Sequence, residues 1–448
     1  MKDPECNLLQ LYHQVAIADY AIPARQPSAS SGWASRWPAR ETSAILGNRG
    51  FVRPRYGEGC FADLPPTVVR LLTGRGGAGL VEGRYEKVVL LFVDAFGWRF
   101  FEPRRGHYDF LRYFDERGSA RKITAQFPST TAAHVTCMQT GLGPAQSGVF
   151  EWQYYEPAVD AIIKPLLWAL GDSHERGSLA LAPEQILPHG TIYQQLAAAG
   201  VPSYVFQPGA HFRSPYSQWT FRGAQLRPYR TLPAALASLR LLLDEVPGPA
   251  YFFLYFDGID GVGHDHGPAS LPIDAEIDAF LRNAERLFLR HVAGRHEDTL
   301  LLVTADHGMT AVDPATAIYI DAAFPECKRF MRRNKKGTII APGGSPRDMF
   351  LYIEDGQVDA ARAFLAARLE GRAEVQRVDE MLAAGYFGPA PVAEAFPARA
   401  GELVILPYAG ETVWWWGDGE YEQTFYGNHG GLTADEMETP LLACELGR

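Results

Sequence analysis

Four apolar runs, each followed directly by glycine or by aspartate, constrain the fold of this chain more than any other feature. They read KVVLLFVDAFG (87–97), SYVFQPG (203–209), AYFFLYFDG (250–258) and TLLLVTADHG (299–308). Continuous apolar runs of this length are typical of strands that are buried on both faces, as in a parallel sheet. Three of the runs lead into aspartate, which predicts that acidic side chains gather at one edge of the sheet.

A helical pattern separates the last two runs, because apolar side chains recur in residues 274–292 with the spacing of one helix face. Strands that alternate with helices predict an α/β fold, with a mostly parallel central sheet and helices on both of its faces. Hairpin-like patterns then interrupt this alternation. The expected organisation is an N-terminal arm or extension (1–85), the core (86–324), a smaller inserted subdomain (325–425) and a return to the core (426–448).

Six candidate metal ligands fall in four short loops that follow a strand or are flanked by glycine. They are Asp94, Asp260, His264, Asp306, His307 and His429. Aspartate and histidine are ligands for divalent metals, and glycine lets the backbone approach a bound ion. Taken singly, an aspartate after a strand more often caps a turn or helix, and a lone histidine is more often structural. Four loops of the same character favour a metal site over turn chemistry.

The segment FPSTTAAHVTCMQTG (127–141) supplies candidate nucleophiles. Hydroxyls at Ser129, Thr130 and Thr131 precede a predicted helix, where such groups usually serve only as caps. Next to a metal site, one of these hydroxyls can instead attack a substrate, and the exposed amides of the helix N-terminus can bind the substrate oxygens.

Together these motifs resemble those of the alkaline phosphatase superfamily, and most closely its type I phosphodiesterase/nucleotide pyrophosphatase branch. VDAFG, FPSTTAAHVTCMQTG, DGVGHDHGP, ADHGM and GNHGG follow one another in the family's order across residues 86–440. The resemblance implies an alkaline-phosphatase-like core and two divalent metal ions, with Zn²⁺ as the expected metal.

The resemblance also implies a role for each candidate residue. Asp260, His264 and His429 are expected to hold one ion, and Asp94, Asp306 and His307 the other, together with the nucleophile oxygen. Thr131 is the implied nucleophile and metal contact, and Thr130 is the second choice. The family spacing leaves Asp257 and His266 outside the ligand set.

The resemblance is weakest where the substrate binds. The family has a phosphoryl-binding asparagine beyond the nucleophile, whereas this chain reads FEWQYYE at 150–156. We expect Trp152, Gln153 or Tyr154 to take that role, with the backbone N–H of Ala132 as a further contact. Arg347 is another candidate for binding substrate charge.

Charge and cysteine content narrow the class of protein. A net charge of −10 without a long basic run argues against stable binding to nucleic acid or to anionic membranes. The chain shows no signal-peptide pattern and no apolar window of about 20 residues. Five scattered cysteines without a CxxC pair fit a reduced protein, so a cytoplasmic location is expected. The pattern leaves the oligomeric state open.

These features predict a metal-dependent phosphodiesterase or nucleotide pyrophosphatase that hydrolyses a small phosphate-ester or nucleotide substrate through a phosphothreonine intermediate. The alternative is a phosphomonoesterase, a phosphonate hydrolase or a sulfate-ester hydrolase of the same superfamily. A remote alternative is a non-catalytic, metal-stabilised binding protein. Paired diester and monoester substrates separate the first two, and turnover of any ester excludes the third.

Overall fold

The computed structural model describes residues 50–77, 79–171 and 177–447. Of the N-terminal arm expected over 1–85, residues 1–49 therefore lie outside the described part of the chain. The first nine strands are β1 (Lys87–Val93), β2 (Gly118–Thr124), β3 (Tyr154–Glu156), β4 (Ala161–Lys164), β5 (Ala169–Leu170), β6 (Ser203–Pro208), β7 (Gln225–Tyr229), β8 (Ala250–Phe256) and β9 (Thr299–Thr304). The remaining strands are β10 (Thr310–Ala311), β11 (Ile318–Tyr319), β12 (Met349–Leu351), β13 (Ala373–Arg377), β14 (Leu403–Pro407), β15 (Val413–Trp414), β16 (Gly427–Asn428) and β17 (Glu438–Glu445).

In the residues that the structure describes, sixteen α-helices connect these strands. They are α1 (Leu64–Thr73), α2 (Trp98–Phe101), α3 (Asp109–Arg117), α4 (Thr131–Thr140), α5 (Pro144–Ser147), α6 (Ile192–Ala198), α7 (Pro215–Thr220), α8 (Leu232–Glu245), α9 (Gly258–His266), α10 (Leu271–Asn283), α11 (Arg290–Val292), α12 (Ile320–Ala323), α13 (Val358–Arg368), α14 (Val378–Ala383), α15 (Phe396–Ala400) and α16 (Ala434–Met437). A π-helical segment, Ala284–Leu289, joins α10 to α11. Within the described ranges, no helix combines the length and the apolar character needed to cross a bilayer.

Seven strands form the central sheet in the order β2-β17-β9-β1-β8-β6-β7. Strand β1 pairs in parallel with β8 and β9, and β6 pairs in parallel with β7 and β8. Strand β17 runs antiparallel to both of its neighbours, β9 and β2. The four apolar runs of the sequence are β1, β6, β8 and β9, and the predicted mostly parallel sheet is confirmed.

Helices cover both faces of this sheet. The odd-numbered residues of β1 from Val89 pack in a hydrophobic core with α3, α8 and α10. The even-numbered residues from Val88 pack in a second core with α1 and α6. A strand between two helical layers needs an apolar side chain at every position, which explains the continuous apolar run of β1.

Four smaller sheets lie outside the central one in the described residues; β10 pairs with β16 and β11 with β15, and the other two sheets have three strands each. Strands β12, β14 and β13 form an antiparallel sheet within 325–425, and residues around it form a separate hydrophobic cluster. Strands β3, β4 and β5 form another antiparallel sheet. One further cluster contains residues of both three-stranded sheets, among them Tyr154 and Phe350.

The register of the parallel strands brings their carboxyl ends to one edge. Val93 pairs with Phe256, and Phe92 pairs with Thr304, so β1, β8 and β9 end side by side. The segments that follow these strands, including helix α9, carry five of the six predicted ligands and meet at this edge.

Candidate active site

The six predicted ligands lie together at the carboxyl edge of the central sheet. Asp94 follows β1, Asp306 and His307 follow β9, Asp260 and His264 are one turn apart on α9, and His429 follows β16. Asp94, Asp260, His264 and His429 line one cavity, while Asp306 and His307 are fully buried.

Asp260, His264 and His429 form the first cluster. Nε2 of His264 lies 3.4 Å from Oδ1 of Asp260 and 3.2 Å from Nε2 of His429. Nε2 of His429 lies 3.6 Å from the same Oδ1. That oxygen is buried and accepts no hydrogen bond from the protein. Residues four positions apart share one helix face, which explains how α9 presents Asp260 and His264 together.

Asp94, Asp306 and His307 form the second cluster. Nε2 of His307 lies 3.5 Å from Oδ1 of Asp94 and 3.3 Å from Oδ2 of Asp306. Oδ1 of Asp306 accepts hydrogen bonds from the backbone N–H of Ala95 and of His307, whereas its Oδ2 has no protein donor. Ligand atoms of Asp94, Asp260 and His307 lie within 4.8 Å of one another, so Asp260 stands close to both clusters.

Backbone carbonyls select the tautomer of all three histidines. The Nδ1–H groups of His264, His307 and His429 donate to the carbonyls of Gly427, Gly308 and Ser129 at 2.8, 2.9 and 3.0 Å. A neutral imidazole that donates through Nδ1 carries a lone pair on Nε2. The Nε2 lone pairs of His264 and His429 therefore face each other across 3.2 Å, an arrangement that a cation between them stabilises.

Burial shifts the charges of both clusters towards neutrality. Burial, followed by the negative charges of Asp306 and Asp260, raises the pKa of Asp94 well above its usual range. Burial also raises the pKa of Asp260, and it raises the pKa of Asp306 to about 7. Burial lowers the pKa of His307 and His429. Three buried carboxylates need positive charge to stay ionised, so the donor set fits two divalent ions.

Of the three candidate nucleophiles Ser129, Thr130 and Thr131, Thr131 is the one whose hydroxyl reaches these clusters. It is the first residue of α4, and Thr130 precedes it as the N-cap. Oγ1 of Thr131 lies 3.1 Å from Nε2 of His307 and 3.4 Å from Oδ2 of Asp94. The hydroxyl of Thr130 instead donates to the carbonyl of Phe150 at 3.2 Å. The geometry therefore separates the two candidates that the sequence left adjacent.

A cavity of about 660 Å³ opens in front of Thr131. Ala132, Trp152 and Gln153, three of the four predicted substrate contacts, line it. Tyr154 is instead fully buried, with its ring stacked on that of Phe150 at 5.2 Å. The expectation that Tyr154 contacts substrate is corrected, because its ring packs with Phe150 and Phe350 in a hydrophobic cluster away from the cavity.

Comparison with protein families decides the family of this chain. The family model described as type I phosphodiesterase/nucleotide pyrophosphatase matches residues 88–432, a segment that contains all six predicted ligands and Thr131. The chain belongs to this family. Its members are hydrolases that act on phosphoester bonds, and the resemblance inferred from the sequence motifs is confirmed.

One protein with a similar sequence is a venom phosphodiesterase of Crotalus durissus collilineatus. It is 25% identical over 249 residues, which are 53% of this chain and 28% of that protein. The chain thus spans little more than a quarter of that relative's length.

Solved structures share the fold of this family member. Murine ectonucleotide pyrophosphatase/phosphodiesterase 5, as an inactive variant in complex with AMP, has a TM-score of 0.57 at 18% identity, covering 80% of this chain and 87% of that chain. Phosphonoacetate hydrolase from Sinorhizobium meliloti 1021, in complex with phosphonoacetate, has a TM-score of 0.56 at 18% identity, covering 81% and 91%.

Two residues that the family spacing leaves out of the ligand set have other surroundings. His266 is exposed near the end of α9. Asp257 accepts a hydrogen bond from Nε2 of His211 at 2.7 Å, and both side chains line the cavity. The sequence analysis missed His211, whose one signal was its position just after the apolar run of β6.

Arg347 does not bind substrate charge, contrary to the expectation from the sequence. Its side chain is fully buried and forms a paired contact with Glu436, with Nε–Oε1 and Nη2–Oε2 distances of 2.9 Å. Glu436 also accepts hydrogen bonds from the backbone N–H of Gly431 and Thr433. The pair therefore positions the loop that carries His429.

A second buried acidic pair lies beside the cavity, and the sequence analysis did not identify it. Glu151 lines the cavity, and its buried carboxyl group interacts with that of Asp348. Burial raises the pKa of both groups, and the charge of Glu151 raises that of Asp348 further. Burial therefore favours the protonated form of both carboxyl groups.

Proposed function

We propose that this family member is a phosphodiesterase that hydrolyses small phosphate diesters, including nucleotide esters, through a phosphothreonine intermediate on Thr131. The observation that carries the proposal is the position of Thr131: its Oγ1 lies 3.1 Å from Nε2 of His307 and 3.4 Å from Oδ2 of Asp94, at the start of a helix. A hydroxyl between candidate metal ligands and free backbone amides has the surroundings of an activated nucleophile.

Two divalent ions, with zinc expected, complete the proposed site. Asp260, His264 and His429 would hold one ion, and Asp94, Asp306 and His307 would hold the other. The partnerless buried oxygens of Asp260 and Asp306, and the lone pairs on Nε2 of the histidines, support this assignment. When bound, such ions lower the pKa of a hydroxyl, neutralise phosphoryl oxygens and stabilise a leaving oxygen.

The proposed reaction has two displacements at phosphorus. Thr131 loses its hydroxyl proton, and Oγ1 forms a bond to phosphorus while the opposite P–O ester bond breaks; the released oxygen takes up a proton from water. A water molecule then loses a proton and attacks phosphorus, which restores Thr131 and releases the phosphomonoester. The backbone N–H of Ala132, in the first turn of α4, would donate to a phosphoryl oxygen during both steps.

The size and lining of the cavity support a diester over a simple monoester. Its volume of about 660 Å³ exceeds that of a phosphate group alone, and apolar residues such as Val135, Leu166 and Leu167 form part of its wall. An apolar wall can contact the organic group that is esterified to phosphorus, whereas it makes no favourable contact with a free phosphate.

A second candidate function is hydrolysis of a carboxylate-bearing phosphonate, supported by the fold that this chain shares with a phosphonoacetate hydrolase. The phosphonoacetate hydrolase with the same fold is described in complex with phosphonoacetate, so that compound is a suitable probe.

The test compares four substrates in the presence of zinc: bis-p-nitrophenyl phosphate, the p-nitrophenyl ester of thymidine 5′-monophosphate, p-nitrophenyl phosphate and phosphonoacetate. Wild type, Thr131→Ala and Thr130→Ala are assayed in parallel. The proposal expects the two diesters to turn over fastest, and this turnover to be lost in Thr131→Ala but retained in part in Thr130→Ala.

Other outcomes have distinct meanings. Faster hydrolysis of p-nitrophenyl phosphate would favour a phosphomonoesterase, and selective hydrolysis of phosphonoacetate would favour the second candidate. Full activity of Thr131→Ala together with an inactive Thr130→Ala would identify Thr130, rather than Thr131, as the nucleophile. Metal binding without turnover of any substrate would revive the non-catalytic alternative.

A further inference from the structure

Phe425 is a large apolar side chain that stays exposed at the candidate active site. Its exposed fraction is 41%, it lines the cavity, and its ring centroid lies 4.5 Å from that of His264. Metal binding by His264 requires only its Nε2, so the metal chemistry gives no reason for an exposed phenyl ring beside it. Exposed apolar surface in a cavity commonly marks a contact with ligand.

The backbone around Phe425 is held rigidly against α9. The N–H of Tyr426 donates to the carbonyl of His264 at 2.9 Å, and Nδ1–H of His264 donates back to the carbonyl of Gly427 at 2.8 Å. The N–H of Phe425 itself donates to Oε1 of Gln423 at 3.2 Å. The same bonds that orient His264 therefore also hold the backbone next to Phe425 against α9.

Three histidine rings link Phe425 to Thr131. Thr131 contacts His307, whose ring stacks on that of His429 at 3.7 Å between centroids. The ring of His429 lies 5.0 Å from that of His264, which in turn lies 4.5 Å from that of Phe425. Successive ring contacts thus connect the nucleophile end of the site to Phe425.

In-line displacement determines which part of the substrate Phe425 can contact. The nucleophile and the leaving oxygen occupy opposite sides of phosphorus, so an attack by Thr131 expels the leaving oxygen towards Asp260, His264 and His429. The group bonded to that oxygen then meets the ring of Phe425. An aromatic platform at this place contacts the alcohol that leaves, not the group that stays on phosphorus.

We propose that Phe425 determines specificity for the leaving alcohol, and that this enzyme prefers diesters whose leaving alcohol carries a flat aromatic ring. The inference rests on the proposed function, because it takes Thr131 as the nucleophile. In the favoured reaction the P–O bond to the ring-bearing alcohol breaks as the bond from Thr131 forms, and the alcohol leaves with a proton from water.

Methyl 2-phenylethyl phosphate and methyl butyl phosphate test this proposal. Their leaving alcohols have similar acidity and differ mainly in the aromatic ring. Phe425→Ala and Phe425→Leu are compared with wild type, and Leu271→Ala, which removes an apolar side chain that is 82% exposed outside the cavity, serves as the matched control. Chromatography identifies which alcohol is released, and titration of each ester into a Thr131→Ala background measures binding without turnover.

The expected result is release of 2-phenylethanol rather than methanol. Phe425→Ala should lower kcat/KM and affinity for the phenylethyl ester by about tenfold, a typical loss for a stacked ring, and those for the butyl ester by no more than about twofold. Phe425→Leu should recover only part of the loss, and Leu271→Ala should change neither ester. Thermal melting checks that Phe425→Ala stays folded.

Three results would overturn the inference. Equal losses on both esters would make Phe425 a packing partner of His264, and release of methanol would put the ring on the retained side of phosphorus. Unchanged kinetics of Phe425→Ala on both esters would show that Phe425 does not contribute to substrate specificity. Failure of the proposed function has a different signature: Thr131→Ala would then hydrolyse bis-p-nitrophenyl phosphate as fast as wild type, and both proposals would fall together.

Discussion

Oγ1 of Thr131 lies 3.1 Å from Nε2 of His307, although the two residues are 176 positions apart in the chain. Two independent structural elements create this contact. The first turn of α4 carries the hydroxyl, and the loop after β9 carries the imidazole, which is oriented by the carbonyl of Gly308. The contact defines the nucleophile end of the site, and the first prediction depends on it.

Replacement of Thr131 by serine should preserve a measurable part of the activity, whereas alanine should lower kcat by about 10³-fold or more. Serine keeps the attacking oxygen, and alanine removes it. Acid quenching of a single turnover, followed by peptide mass spectrometry, should find a phosphoryl group on residue 131 in wild type. A serine variant as inactive as the alanine variant would argue against nucleophilic attack from this position.

Each cluster should account for one bound metal ion. His429→Ala and His307→Ala should each lower the zinc content from about two equivalents per chain to about one, because each removes a ligand from a different cluster. Metal analysis after dialysis measures the content. His266→Ala is the matched control, since His266 is exposed on the same helix as His264, and it should retain full zinc content. An unchanged content in His429→Ala would contradict the assignment.

The buried ion pair of Arg347 and Glu436 should be important for stability. Removal of one partner leaves a charge buried without compensation, so Arg347→Met and Glu436→Gln should each lower the free energy of unfolding by about 3–5 kcal/mol. The double variant Arg347→Met/Glu436→Gln should lose less than the sum of the two single variants. Urea unfolding measures the three values. Strict additivity would show that the two side chains act independently.

The Glu151–Asp348 pair should make stability depend on pH. A carboxyl group whose folded pKa is raised contributes stability that is complete below its unfolded pKa and is lost as the pH rises through the folded value. For Glu151 this interval runs from about 4.3 in the unfolded chain to about 8 in the folded protein. Glu151→Gln cannot ionise, so it should melt at a higher temperature than wild type at about pH 8, but not at about pH 4.5.

Melting curves at the two pH values test this prediction. Glu326→Gln makes the same change of charge on an exposed residue and should not alter the pH dependence. A parallel decline of wild type and Glu151→Gln between the two pH values would show that Glu151 does not hold its proton in the folded state.

The sequence by itself determined the class of fold and the identity of the candidate ligands. Burial of a parallel strand on both faces requires an unbroken apolar run, so β1, β6, β8 and β9 are visible without coordinates. Metal ligation requires particular side chains in glycine-flanked loops, so Asp94, Asp260, His264, Asp306, His307 and His429 could be selected from local patterns and the resemblance to the family. The cytoplasmic location and the metal roles of these residues remain predictions.

The tertiary structure decided what depends on contacts between distant segments. The family resemblance favoured Thr131 over Thr130, and only the tertiary structure shows that, of the two, Thr131 contacts His307. Arg347 and Tyr154 carry the side chains of substrate-binding residues, yet packing buries both. The carboxyl groups of Glu151 and Asp348 raise each other's importance for pH dependence only because the fold buries two distant segments side by side. Local sequence records the chemistry of a side chain, whereas its partners, burial and charge are set by the whole chain.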